Sequence, residues 1–188
     1  MQNENSSHKF LAKIVYWGCA LSGKTTIIDS LYKLTKEKYT EQFEPEGEIK
    51  KIAQKDGATL YFDRGIFLSK KERTMQFHVY TVAGQVNFAP VRKKVFAGTN
   101  GVIFVFDAQP SRLKANIDSL KELKNVSERN LIKKIPLLIM VNKQDLPDAM
   151  QKGEVQKILE EEDLFYSREN PWSLWNPIIY ESIALYDI

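Results

Sequence analysis

The segment Gly18-Cys-Ala-Leu-Ser-Gly-Lys-Thr25 has residue types whose spacing suits phosphate binding. It follows an apolar strand pattern and opens a helical pattern, the context in which G-x-x-x-x-G-K-[ST] cradles phosphates. The glycines allow successive backbone N–H groups to face phosphate oxygens, and the helix adds the positive end of its dipole. We expect Lys24 to reach the β- and γ-phosphates and the Thr25 hydroxyl to bind Mg²⁺. The alternative is an ordinary glycine-containing turn between a strand and a helix.

A second segment, Val141-Asn-Lys-Gln-Asp145, follows another apolar run and contains the pattern N-K-x-D. The Asp145 carboxylate can accept two hydrogen bonds from guanine, one from N1–H and one from the N2 amino group. Adenine offers no such pair of donors and leaves the carboxylate unpaired, which is a strong basis for rejection. We expect Asn142 to tie this loop to the phosphate loop and the Lys143 stem to pack on the base. The alternative is a simple turn, because turns are rich in these residue types.

A third segment, Thr81-Val-Ala-Gly-Gln85, ends an alternating strand pattern. Gly84 can donate its N–H to a γ-phosphate, and Gln85 can orient a hydrolytic water. By itself the segment could be any turn, but its place between the other two motifs favours a hydrolytic role. Gln85 and Lys24 are therefore the predicted catalytic residues.

Strand patterns that alternate with helical patterns must position these loops. We predict strands at 13–17, 59–63, 74–82, 102–106, 137–141 and 178–182, and helices after residue 25, at 112–128 and from residue 154. This order predicts an α/β fold with a mostly parallel sheet that helices cover on both faces. The second and third strands form an antiparallel hairpin at a sheet edge, after a long polar loop over 36–58. Ligands of such sheets bind at the carboxyl ends of the strands.

Length and composition exclude several classes of protein. The 188 residues suit one domain, predicted over 10–188 after a disordered tail of residues 1–9. The single cysteine excludes an internal disulfide framework and favours a reducing compartment, so we predict a cytoplasmic location. The apolar runs are too short to span a bilayer, and the sequence has neither a signal peptide nor a lipidation motif. The net charge of +3 is too small to indicate nucleic-acid binding.

Taken together, the three motifs resemble those of the Ras-like small GTPases, which have the P-loop fold. Segments such as Leu60-Tyr-Phe-Asp63 and His78-Val-Tyr-Thr-Val-Ala-Gly-Gln-Val86 look most like the prokaryotic MglA-type branch, which includes gliding and cell-polarity GTPases and archaeal relatives. A mark of that branch is a threonine, here Thr81, where most small GTPases have an Mg²⁺-linked aspartate. The resemblance implies a six-stranded sheet, five helices and a GTP/GDP molecular switch that hydrolyses GTP slowly. It also suggests a roadblock-type dimer as the regulator on the switch loops.

The resemblance implies further site residues. Thr59 is the switch threonine that joins Mg²⁺ and the γ-phosphate, and the Ala184 N–H faces the guanine oxygen. The predicted nucleotide-binding residues are Gly18, Ala20, Leu21, Ser22, Gly23, Lys24, Thr25, Thr26, Gly84, Asn142, Lys143, Asp145 and Ala184. The predicted Mg²⁺ ligands are Thr25 and Thr59.

Departures from the family pattern affect the expected rate of hydrolysis. Thr81 removes a carboxylate near Mg²⁺, so another acid, Asp63 or Asp107, is a candidate replacement, although Asp107 also suits a helix cap. The related branch has an arginine just before the switch threonine, where this chain has Ala58. Arg64, Arg73 and Arg92 do not match that position.

The sequence ends at Ile188, just past the predicted guanine loop. We therefore expect the fold's C-terminal helix to be missing and an apolar patch to be exposed. Two other functions stay open at this point. One is a GTP-bound scaffold with negligible hydrolysis, and the other is an ATP-dependent P-loop kinase, which the N-K-x-D pattern disfavours.

Overall fold

The structure is a computed structural model that describes residues 10–52, 62–71, 75–82 and 89–185. Its strands are β1 (Phe10–Trp17), β2 (Phe43–Pro45), β3 (Lys50–Ile52), β4 (Phe62–Ser69), β5 (Met75–Thr81), β6 (Gly101–Asp107), β7 (Leu137–Asn142) and β8 (Ile178–Ser182). Its helices are α1 (Lys24–Glu37), α2 (Ala89–Phe96), α3 (Leu113–Val126) and α4 (Lys152–Glu161), and 3₁₀ turns lie at Pro110–Arg112 and Pro171–Trp175.

Within these ranges, the strands form one sheet in the order β2-β4-β5-β1-β6-β7-β8, and β3 also pairs with β4. Strands β5, β1, β6, β7 and β8 are parallel, and β4 is antiparallel to β5. The mostly parallel sheet and the antiparallel pairing of β4 with β5 are therefore confirmed. The predicted edge position is not, because two additional three-residue strands, β2 and β3, pair with the outer side of β4. Because β1, β6 and β7 run in the same direction, the loops at their carboxyl ends meet at one edge of the sheet.

The apolar core lies on both faces of this sheet. Trp17 and Phe104 are fully buried on one face, in a cluster that includes Leu120 of α3. Tyr16, the neighbour of Trp17, packs on the other face with Ile28 of α1. Successive strand residues point to opposite faces, so the continuous apolar runs of β1 and β6 serve both clusters. Each large side chain buried in this way contributes roughly 1.5–3 kcal/mol.

Strand β4 lies later in the chain than predicted. It spans Phe62–Ser69 rather than 59–63, and residues 53–61 fall outside the described ranges. Five residues, Arg64–Leu68, pair with β5, and Phe67 is buried in the core. The prediction stopped early because Asp63 and Arg64 interrupt the apolar pattern, whereas cross-strand pairing with β5 holds this stretch extended.

The segment predicted as a long polar loop also contains regular structure. Helix α1 extends to Glu37, and the short strands β2 and β3 pair with opposite halves of β4. Helix α2 was not predicted at all. Its eight residues include three basic side chains and give only a short apolar pattern. Tertiary contacts rather than local sequence define such short elements.

The structure of the last described residues agrees with the prediction. Strand β8 has the predicted bounds, and among residues 183–185 no helix follows it. Exposed apolar side chains lie along β8 and the preceding 3₁₀ turn, as the sequence predicts: Leu174, Trp175, Ile178 and Tyr180. None of the helices in the described ranges has the length and apolar character needed to cross a membrane.

Candidate nucleotide-binding site

The loop between β1 and α1 has a backbone that requires its glycines. Gly18 and Gly23 have φ angles of 149° and 100°, which L side chains rarely adopt. A Cβ at Gly18 would lie 2.3 Å from the Val105 carbonyl oxygen, and one at Gly23 would lie 2.3 Å from Asn142 Nδ2. The loop therefore sits directly against β6 and the loop after β7, where only glycine fits at these two positions.

Lys24 is buried at the start of α1, with 7% of its surface exposed. Its Nζ donates to the Gly18 carbonyl at 2.9 Å and to the Cys19 carbonyl at 2.7 Å. Its pKa is lowered to about 8, chiefly by burial; the nearby Cys19 opposes this shift and the charge of Arg92 adds to it. None of the described carboxylates forms an ion pair with this ammonium. A buried cation without a carboxylate partner, enclosed by a glycine loop, is suited to an anionic ligand such as phosphate.

The lowered pKa of Lys24 predicts that nucleotide affinity falls as the pH rises. Without ligand its pKa is about 8, and a bound phosphate raises that pKa, so binding takes up a proton above pH 8. Affinity is then highest below pH 8, and we expect GDP to bind about fourfold more weakly at pH 8.5 than at pH 7. Calorimetric titration at both values measures this change. An equal change in Lys24→Met would show that another group is responsible.

The loop after β7 is joined to the phosphate loop. Asn142 is buried and its Nδ2 donates to the Ser22 carbonyl at 2.9 Å, which is the tie that the sequence predicts. Lys143 has a φ of 73°, a left-handed conformation that turns the chain sharply there. The Asp145 side chain that follows is exposed and open to a ligand.

The segment after β8 completes this cluster of loops. The Gln144 N–H donates to the Ser182 carbonyl at 3.2 Å, and the Ser30 hydroxyl donates to the Ala184 carbonyl at 2.5 Å. A Cβ at Gly23 would be 3.8 Å from the Ala184 Cβ. The structure therefore brings the predicted phosphate loop, guanine loop and last loop to the same edge of the sheet.

Asp107 has a different role from the helix cap suggested by the sequence. Helix α3 begins only at Leu113, and the Asp107 Oδ1 accepts from the Gln109 N–H at 3.2 Å within the preceding loop. Its Oδ2 accepts from Lys143 Nζ at 2.7 Å. The carboxylate is fully buried, and its observed contact is an ion pair with Lys143 of the predicted guanine loop.

Arg112 and Asn116 were missed in the sequence. The Arg112 Nη2 donates to the Ala20 carbonyl at 2.7 Å, and Asn116 Oδ1 accepts from the Cys19 thiol at 3.4 Å. Asn116 is fully buried on the helix face that carries Leu120. A polar residue on an apolar helix stripe was the available signal, because buried polar groups require partners.

The residues predicted for Mg²⁺ and hydrolysis lie only partly within the described ranges. Thr25 is exposed in the first turn of α1, and Thr81 is buried at the end of β5 beside Tyr16 of β1. Thr59, Gly84 and Gln85 fall outside those ranges, as does Ala58. Their roles remain predictions.

The sheet order, the glycine loop with its buried lysine and the adjoining N-K-x-D loop define a P-loop protein of the small GTPase class. A family model, the ADP-ribosylation factor family, matches residues 2–185. The chain belongs to the ADP-ribosylation factor family of small GTPases, and guanine-nucleotide binding is the activity that this family implies.

Individual relatives agree with this assignment. The chain is 38% identical over 161 residues to the mutual gliding-motility protein MglA of Myxococcus xanthus (strain DK1622), covering 82% of this chain and 78% of that protein. It is 29% identical over 163 residues to human ADP-ribosylation factor-like protein 4A, covering 86% and 71%. The predicted likeness to the MglA-type branch is thereby confirmed.

A solved structure supports the fold. The Arl6 BBS3 small GTPase from Trypanosoma brucei, with bound nucleotide analogue GppNp, matches with a TM-score of 0.61. The match has 22% identity and covers 93% of this chain and 87% of that one. It confirms the predicted α/β architecture of a Ras-like domain.

Proposed function

We propose that the chain is a guanine-nucleotide switch that binds GTP or GDP with Mg²⁺ and hydrolyses GTP slowly. The observation that carries the proposal is the buried Lys24 ammonium, which has carbonyl partners but no carboxylate among the described residues. It lies in a loop that Asn142 holds directly against the predicted base-binding loop. A phosphate group at one loop and a base at the other are the two ends of one nucleotide.

Guanine is the base that best suits the second loop. The exposed Asp145 carboxylate follows the fixed pair Asn142 and Lys143, so it can accept from the N1–H and N2 amino groups of a bound base. An adenine there would leave that carboxylate without donors, which costs affinity. Ala184 beside Gly23 supports the proposed contact of its N–H with the guanine oxygen.

Mg²⁺ fits the oxygen donors that the chain offers at this edge. Thr25 has an exposed hydroxyl next to the buried Lys24, and hydroxyl and phosphate oxygens are the hard ligands that Mg²⁺ prefers. We propose Thr25 and Thr59 as its protein ligands. When bound, the ion would supply charge neutralisation between the β- and γ-phosphates. Asp107 is unsuited to this role because Lys143 already pairs with it.

We propose that hydrolysis is slow because Gln85 orients the attacking water but no arginine of this site stabilises the transition state. Arg92 is buried and donates to Glu122 Oε1 from two of its nitrogens, at 2.8 and 2.5 Å. The Arg112 guanidinium is engaged with the Ala20 carbonyl. Among the described residues, these contacts support the proposal that neither Arg92 nor Arg112 serves as a built-in arginine for the transition state.

A second candidate is a GTP-bound scaffold that acts through partners with negligible hydrolysis. The buried Thr81, which replaces a carboxylate of the family pattern, favours it. Single-turnover GTP hydrolysis, with and without a candidate activator, separates the two. A roadblock-type dimer on the switch loops, a cytoplasmic location and a single domain over 10–188 stay proposals that rest on the sequence.

The variant Asp145→Asn tests the base assignment. We expect it to weaken GTP binding by roughly a few kcal/mol, because two hydrogen bonds to a carboxylate are lost. It should also raise the relative affinity for xanthosine triphosphate, whose extra carbonyl can accept from the new amide. Competition against labelled GDP measures both effects.

Asp148→Asn, an exposed residue in the same loop, is the matched control and should leave both affinities unchanged. If ATP competes as well as GTP against the unmutated chain, the guanine assignment is wrong. An ATP-dependent kinase would then be the better interpretation.

A further inference from the structure

The connection between β6 and α3 contacts two of the nucleotide-binding loops at once. We propose that Asp107 is a positioning residue that holds Lys143 beside the base and, with Arg112 and Asn116, joins the guanine loop to the phosphate loop. This inference rests on the proposed function, because Lys143 acts on a bound base only if the chain binds one.

The Asp107 carboxylate has no exposed surface. A buried carboxylate is costly unless it is paired and hydrogen-bonded. Its Oδ2 accepts from Lys143 Nζ at 2.7 Å, and its Oδ1 accepts from Gln109 N and Nε2 at 3.2 and 3.1 Å. The Arg112 Nε adds a longer contact, 3.9 Å from Oδ2. The carboxylate is therefore fixed by its own loop and directs one oxygen at Lys143.

Strand pairing brings Asp107 and Lys143 together. Asp107 is opposite Asn142 in the parallel pair of β6 and β7, and the Ala108 N–H donates to the Asn142 carbonyl at 2.9 Å. Lys143 is the next residue along the chain. The ion pair thus depends on the register of two central strands rather than on a mobile surface contact.

The same connection holds the phosphate loop. Arg112 Nη2 donates to the Ala20 carbonyl at 2.7 Å, and the Cys19 thiol donates to Asn116 Oδ1. Asn116 also binds both backbone groups of Asp107, accepting from its N–H at 3.0 Å and donating to its carbonyl at 2.8 Å. The two loops are therefore linked through three side chains: Asp107 at the end of β6, Arg112 in the connection and Asn116 in the first turn of α3.

The consequence for binding is preorganisation. A lysine side chain has many rotamers, and fixing one of them before the nucleotide arrives removes an entropic cost from binding. The Asp107 carboxylate fixes the Lys143 ammonium, so the aliphatic stem is held in place for the base. Loss of the carboxylate should show mainly as faster nucleotide release, since contact losses within one interface act mostly on dissociation.

A double-mutant cycle on GDP release tests the proposal. We expect Asp107→Asn and Lys143→Met each to accelerate release of fluorescently labelled GDP by roughly tenfold. If Asp107 acts through Lys143, the double variant should release GDP no more than about twofold faster than the faster single variant. Multiplicative effects, near a hundredfold, would show independent roles and overturn the proposal, as would unchanged release from Asp107→Asn.

A second comparison covers the case in which Asp107→Asn does not fold. Lys143→Arg keeps a charge opposite Asp107, whereas Lys143→Gln removes it without changing the carboxylate. We expect Lys143→Arg to release GDP clearly more slowly than Lys143→Gln, and equal rates would overturn the proposal. Lys114→Met, which removes only an exposed ion pair on α3, is the control and should leave release unchanged.

The same experiment separates this inference from the proposed function. If the unmutated chain fails to bind GDP, the proposed function is wrong. If the unmutated chain binds GDP and Asp107→Asn releases it at the same rate, the positioning role alone is wrong.

Discussion

Lys24→Ala is expected to weaken both GDP and GTP binding by on the order of a hundredfold to a thousandfold. Removing one member of a buried, hydrogen-bonded charge pair has an effect of this size, because the phosphate would be left enclosed without its counter-charge. No other side chain of the phosphate loop can replace this charge, since Lys24 is the only cationic residue among residues 18–25. The effect should fall equally on both nucleotides if the ammonium serves the β-phosphate.

Equilibrium titration with labelled GDP and GTP measures this loss. Lys36→Ala is the matched control, because it removes an exposed lysine at the far end of the same helix. Thermal unfolding of both variants without nucleotide checks that the chain still folds. Nanomolar binding retained by Lys24→Ala would contradict the assignment of the phosphate loop.

The second large effect is expected in the rate of GTP hydrolysis. We expect intrinsic turnover on the order of 10⁻⁴–10⁻³ s⁻¹, the range of an unassisted small GTPase. The reason is that Ala58 occupies the position of an arginine in the related branch, and Thr81 occupies the position of an aspartate in most small GTPases. A partner that inserts its own arginine should accelerate turnover by roughly 10³–10⁵, whereas one that only orders the switch loops should help modestly.

Ala58→Arg tests the same point within the chain. Single-turnover hydrolysis should be faster in this variant if the loop adopts the geometry of the related branch, and Ala58→Lys is a control for charge without the guanidinium. Turnover near 1 s⁻¹ for the unmutated chain would show that another arginine reaches the phosphates. Arg64, Arg73 and Arg92 would then be the arginines to replace with lysine.

Elements with long, continuous patterns could be predicted from the sequence alone. The apolar runs of β6 and β7 and the apolar stripe of α3 match the structure to within a few residues. Strand β4 and helix α2 could not be located in the same way. The position of β4 depends on its pairing with β5, and that of α2 depends on packing of Phe96 in the core. Local sequence does not encode either contact.

The site shows the same division. The phosphate and guanine loops were predictable because their residues are consecutive and their chemistry fixes the spacing. Asp107 was misassigned, since its partner Lys143 lies 36 residues away and only the register of β6 and β7 makes them neighbours. Arg112 was missed for a similar reason, because its Ala20 partner lies 92 residues earlier.

We propose that the phosphate loop with its buried Lys24 and the adjoining loop with Asp145 together bind a guanine nucleotide. The most direct measurement is competition of GTP and ATP, at equal Mg²⁺, for labelled GDP on the unmutated chain. We predict that GTP displaces the label at concentrations at least about a hundredfold below those needed for ATP, because only guanine satisfies the Asp145 carboxylate. Equal displacement by ATP, or failure of the chain to bind labelled GDP at all, would contradict this account.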